Sequence, residues 1–140
     1  MSVEDPKDSM IVTWAGGVQL AVAVRGHTFL ADQPTEDGGE DRGMTPVEMF
    51  VASLGACIGY FALRFCQRHQ LPAEGLKAAV EWGYAERPRR ISEIAVRLDL
   101  PKGFPSEMKD RLQKVVEGCT VQNSLTHPPK IEILLEGPPG

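Results

Sequence analysis

Several shortages bound what this chain can be. It has three cysteines, an odd number, and none of them form a CxxC pair. A secreted disulfide framework uses an even set, and zinc sites pair their cysteines closely, so neither is expected. The three histidines, His27, His69 and His127, are scattered at no ligand spacing. No metal site is therefore expected. Basic excess is also missing. The formal net charge is −4, and Asp32, Glu36, Asp37, Glu40 and Asp41 against Arg42 account for all of it. No basic stripe remains to displace counterions from phosphates, which argues against a nucleic-acid partner. In the apolar middle, the longest run without a charged residue is 49–63, which is 15 residues. A bilayer-spanning helix needs roughly 20. The opening Met1-Ser2-Val3-Glu4-Asp5 is acidic where a secretory signal would be basic, and no apolar segment follows it. The expectation is a cytoplasmic protein with no membrane partner.

What is present reads as an ordinary globular chain. With 42% apolar and 24% charged residues over 140 positions, it can bury a core as a single domain, 1–140, without staples. The first third is β-rich. Runs at 10–15, 18–25 and 27–31 are separated by Gly16-Gly17 and Gly26, the pattern of an antiparallel meander. The stretch 33–44 is a polar, acidic, glycine-rich loop, too polar to be buried.

Thr45-Pro46-Val47-Glu48 opens a helix. Proline suits the first helical position because its missing N–H would be unpaired there anyway. Thr45 and Glu48 stand at capping-box spacing. The helix is expected to run to about Gln70, before Pro72. Met49, Phe50, Val51, Leu54, Ile58, Phe61 and Phe65 and their neighbours leave it almost no polar face. Such a helix must be covered all round, and a chain this small lacks the material. A second copy is the expected cover, giving an obligate homodimer.

Strands are expected at 76–84 and 91–100, joined by the charged turn Glu86-Arg87-Pro88-Arg89-Arg90. In the second, Ile94, Val96, Leu98 and Leu100 alternate with Glu93, Ala95, Arg97 and Asp99, one face dry and one wet. A second helix spans 106–119, with Met108, Leu112, Val115, Val116 and Cys119 on one stripe. Cys119 is thereby expected to point inward. A last strand is expected at 130–136, followed by a short tail, 137–140.

Cys57 lies midway along the long helix, two residues after Gly55. A glycine inside a helix costs roughly 1 kcal/mol against alanine, and often marks a close approach of backbone or ligand. Cysteine also serves as a small buried hydrophobe, so packing and reactivity both remain open for Cys57. Cys66 cannot partner it on an unbroken helix. Nine residues turn it to the opposite face and raise it by roughly 13 Å, whereas a disulfide needs Cα atoms within about 7 Å. Cys66 reads as packing, and Cys119 is the remaining candidate partner. A reactive Cys57, about three turns in, is beyond the helix dipole and needs a cation, with Arg25 and Arg42 as candidates. Glu48 is a candidate carboxylate, though capping already explains it. His127 reads as a turn residue or a base.

The run Thr45-Pro46-Val47-Glu48-Met49-Phe50-Val51-Ala52-Ser53-Leu54-Gly55-Ala56-Cys57 resembles the central-helix motif of the OsmC/Ohr family. Asp37-Gly38-Gly39 and Gly43 before it fit the same pattern. Glu117-Gly118-Cys119-Thr120-Val121-Gln122-Asn123-Ser124-Leu125 resembles the family's second cysteine motif. The resemblance implies an α+β fold in which two subunits intertwine, antiparallel sheets packing around long central helices. It also implies a thiol peroxidase that reduces organic hydroperoxides in oxidative-stress defence. In that reading Cys57 attacks the peroxide, Cys119 closes a disulfide with it, a dithiol reductant restores both, and no metal or bound cofactor takes part. The well-characterised peroxidases carry an arginine after the first-hairpin glycines and a glutamate directly after the helix-start proline. Here Val18 and Val47 stand there, with Glu48 one residue later, and Thr120 replaces a proline that often follows the second cysteine. These departures motivate the alternative: a non-catalytic dimer that binds a small apolar or thiol-reactive ligand at the subunit interface.

Overall fold

A computed structural model describes residues 8–138. The acidic N-terminal stretch lies outside them except for Asp8, and the tail at 137–140 lies partly outside. The chain divides into two compact units between Val51 and Ala52.

The first unit begins with three antiparallel strands in sequence order, β1 (Ile11–Trp14), β2 (Leu20–Val24) and β3 (His27–Ala31). Ala21 pairs with Thr13 on one side and Leu30 on the other. The meander read from the sequence is therefore present, with shorter strands. Arg25 and Gly26 join β2 to β3 with φ of 48° and 81°. Two consecutive left-handed residues make the hairpin turn whose twist matches that of its strands.

Polar groups hold the loop that follows. Asp32 is 1% exposed, a burial that the sequence reading did not assign when it counted this residue with the loop's charges. Its Oδ1 accepts from the Gln33 backbone N–H at 2.7 Å. Its Oδ2 accepts from the backbone N–H groups of Glu40 (3.3 Å) and Arg42 (3.1 Å) and from Gln19 Nε2 (3.2 Å). The loop closes so tightly that a Cβ on Gly39 would stand 2.0 Å from the Gln33 carbonyl oxygen. The rest of 33–44 is largely exposed, as its polarity suggests, with a short 3₁₀ turn at Thr35–Asp37.

Helix α1 (Pro46–Arg68) starts at the capping box. Glu48 N–H donates to Thr45 Oγ1 at 3.1 Å, and Thr45 N–H donates to Glu48 Oε1 at 2.8 Å. By length and composition α1 could cross a membrane, with a mean hydropathy of 1.6, but 39% of that stretch is buried inside this chain.

From Ala52 onward, Leu54, Ile58, Ala62 and Phe65 form a core with Leu112, Val116 and Cys119. Strands β4 (Lys77–Ala85) and β5 (Arg90–Asp99) pair antiparallel. The even positions of β5, Ile94, Val96 and Leu98, pack against that core, as alternation predicts. Gly55 is explained here, because a Cβ would meet Val80 Cγ2 at 2.7 Å.

Three expectations change in this unit. The single helix at 106–119 is a 3₁₀ turn (Ser106–Met108) and α2 (Lys109–Glu117). Gly118 caps α2, and a further helix, α3 (Thr120–Thr126), begins beyond Cys119. The stripe loses one member, since Val115 is 37% exposed while Leu112, Val116 and Cys119 are buried. Residues 130–136 form no strand: they have no ladder partner among the described residues of their own chain, and Ile131, Ile133, Leu134 and Leu135 are exposed, Leu135 by 95%. A strand needs a neighbour to satisfy its backbone groups, and this segment has apolar residues without the neighbour among the described residues.

Candidate active site

Cys57 and Cys119 meet in the second unit. Cys57 sits on the unbroken α1, half-buried, packed against the core cluster to which Cys119 belongs. Cys119 is fully buried. The break between α2 and α3 aims its side chain. The Cys119 N–H donates to the Val116 carbonyl at 3.2 Å, ending one helix. Its backbone is then extended (φ −66°, ψ 149°), the conformation of a helix N-cap. Its sulfur accepts from the Gln122 N–H at 3.4 Å, a place usually taken by a serine, threonine or aspartate oxygen.

Burial pushes the Cys119 thiol above its ordinary value of 9.0. The Gln122 N–H works the other way and is outweighed, because a hydrogen bond with Cys57 and the Cys57 charge add to the rise. Cys119 therefore keeps its proton, and the proton is held against the neighbouring sulfur. The more exposed Cys57 is the sulfur that a solvent-borne molecule can reach. Chemically this is a dithiol in one small site, with one sulfur accessible and the other capped and protonated.

The other candidates have surroundings of their own. Cys66 is free and buried, and burial alone raises its thiol. The continuity of α1 upholds the argument that separates it from Cys57. His127 caps the exposed end of α3, its Nδ1 3.1 Å from Thr126 Oγ1. Glu48 is engaged in the capping box. Arg25 is exposed at its hairpin tip, and Arg42 is exposed with its guanidinium 3.9 Å from Glu40. All three belong to the first unit. Among the described residues, no three His, Cys, Asp or Glu side chains cluster as metal ligands would. Sequence reasoning passed over Arg64, Arg68 and Arg111, which share a cleft between α1 and α2. The i, i+4 spacing of Arg64 and Arg68 was the available signal.

A family model of OsmC-like proteins matches residues 38–134. The chain belongs to the OsmC-like family. Both cysteine motifs fall within the matched span. Solved structures of the same fold include an osmotic-stress and detoxification-response protein of Psychrobacter arcticus (19% identity, TM-score 0.75, covering 82% of this chain and 85% of that one). An OsmC-like protein of Mycoplasma pneumoniae is similar at 16% identity and TM-score 0.73, covering 89% and 91%. So is an organic hydroperoxide resistance protein of Legionella pneumophila, at 21% identity and TM-score 0.59, covering 84% and 88%. No curated protein matches the chain. The α+β architecture expected from the resemblance is the one observed, an OsmC-like fold of antiparallel sheets and helices.

Proposed function

We propose that this OsmC-like protein is a cytoplasmic thiol peroxidase that reduces organic hydroperoxides through Cys57 and Cys119. The observation that carries the reading is the contact between an accessible thiol and a buried, proton-holding one. The Cys57 thiolate attacks the terminal peroxide oxygen, the O–O bond breaks, and the alkoxide leaves as alcohol after taking a proton. Cys57 becomes a sulfenic acid. The Cys119 sulfur then displaces water from it, closing a disulfide. Cys119 gives up its own proton in that step, and the water carries it away. A dithiol reductant opens the disulfide by exchange, becomes oxidised to its own disulfide, and returns both thiols. The likeness to an organic hydroperoxide resistance protein of Legionella pneumophila supports the substrate class.

The same reading makes the protein a homodimer. Two features support this. The exposed apolar segment 130–136 has no strand partner among the described residues of its own chain, and Ala52 and Ala56 leave part of α1 uncovered. Sedimentation of the full chain as a dimer is expected, and a stable monomer would remove this part of the reading.

Peroxide consumption with a dithiol reductant tests the chemistry. Cys57→Ser should abolish turnover of tert-butyl hydroperoxide. With the dithiol left out, Cys119→Ser should consume one equivalent and stall as the sulfenic acid, which a sulfenic-acid-selective cyclic 1,3-dione traps. Full activity of the Cys57→Ser protein would overturn the mechanism.

One observation favours the alternative, a dimer that binds a small apolar or thiol-reactive ligand without turnover. The loop between β1 and β2 carries Val18, exposed, where an activating arginine stands in the peroxidases that the sequence resembles. Slow alkylation of Cys57 at neutral pH, with no peroxide consumption, is the result that would select it.

A further inference from the structure

A cleft of about 370 Å³ lies between α1 and α2, and neither reactive cysteine lines it. Its cationic side is Arg64 and Arg68 from α1 and Arg111 from α2. Its apolar side is Phe61, Phe65 and Val115. No carboxylate is among its walls. None of the three guanidinium groups has an ion pair or hydrogen bond among the described residues, although the chain is acidic overall.

Ordinary surface electrostatics does not explain this gathering. Arg68 is in the last turn of α1, where the helix dipole favours a cation. Arg111 is in the first turn of α2, where the dipole disfavours one. Like charges converging on one cleft repel, and here no acidic wall offsets them. The apolar side also departs from expectation. Val115 belongs to the apolar stripe of α2 by spacing but stands 37% exposed in this cleft. Behind it the floor is aromatic: Phe65 is buried, with the His69 ring tilted 40° against it at a centroid distance of 4.4 Å.

We propose that this cleft binds an amphiphilic oxyanion, a carboxylate or phosphate ester attached to a compact aliphatic or aromatic body. The head group lies among Arg64, Arg68 and Arg111, whose planar forks match oxyanions with paired hydrogen bonds. The body covers Phe61 and Val115. The volume falls within the range of small-molecule sites. The proposal goes beyond the thiol chemistry and does not depend on it.

Calorimetric titration of the full chain with octanoate, octyl phosphate, octanol and inorganic phosphate tests this. Octanoate or octyl phosphate should bind at least tenfold more tightly than octanol and than inorganic phosphate. The tighter of the two identifies the head group as carboxylate or phosphate. Affinity should fall as salt rises. Arg111→Gln and Arg64→Gln, both at exposed positions, should each weaken binding about tenfold or more without lowering the melting temperature. Cys57→Ser should leave affinity unchanged, which separates this site from the redox reading. Absence of binding by every probe, equal affinity for octanol and octanoate, or unchanged affinity in both arginine variants would overturn the proposal.

Discussion

Up to Val51, the buried side chains are Val22, Ala31 and Val51, together with Gln19 and Asp32. From Ala52 onward they are Leu54, Ile58, Ala62, Phe65, Cys66, Pro101, Leu112, Val116 and Cys119. The first unit closes its loop with a carboxylate that accepts four hydrogen bonds. The second closes its helices and β-pair over packed apolar surface. Directional polar contacts depend on protonation and tolerate volume change, whereas apolar packing behaves the opposite way. Cys57 and Cys119 lie in the packed unit, where Cys119 is held away from solvent while Cys57 stays half-buried.

Leu112→Ala should give the largest effect. The side chain is 3% exposed at the centre of the second unit's core, and such truncations cost about 2–5 kcal/mol. Denaturant midpoints measure it. A loss under about 1 kcal/mol would mean that packing does not dominate this unit.

Asp32→Asn should act next, and on the other unit alone. An amide offers one acceptor oxygen where the carboxylate offers two, so N–H donors of the loop lose their partner. Hydrogen exchange at Gln33, Glu40 and Arg42 should speed up several-fold while amides around Leu112 keep their protection. The same region should respond to acid. Burial alone would raise the Asp32 carboxyl, but hydrogen bonds from Gln33, Arg42, Gln19 and Glu40 outweigh it and hold it below its ordinary value of 3.8. Its contribution is full above pH 3.8 and is lost as pH falls through the lower folded value. Acid loosening that begins in the second unit would break the comparison.

Thr45→Ala should give the smallest effect, about 1 kcal/mol, by removing the oxygen that accepts from Glu48 N–H. Local exchange at the first turn of α1 reads it. No loss there would mean that the box is decorative and Glu48 is free for other work.

Local chemistry was the legible part of this chain. The capping box at Thr45 and Glu48, the alternation in β5 and the glycine turns of the meander could all be read from residue types and spacing. Each depends on neighbours within a few positions. The buried Asp32 was not legible, because its donors Glu40 and Arg42 lie eight and ten residues away and loop closure brings them in. The helix of 106–119 hid a break at Gly118 that continuous apolar spacing masked. The segment 130–136 carries the apolar residues of a strand, yet pairing is decided by whether another edge is at hand.

By itself the sequence determined the meander, the capping-box helix, the β4–β5 pair, the motif that marks an OsmC-like chain and the exclusion of a Cys57–Cys66 pair, since turn chemistry, alternation, helix period and rise are local. Only tertiary structure decided that Cys57 touches Cys119, that Val115 faces a cleft and that three arginines gather there. Those juxtapositions join residues dozens of positions apart, and they follow from how helices pack, which no short stretch of chain encodes.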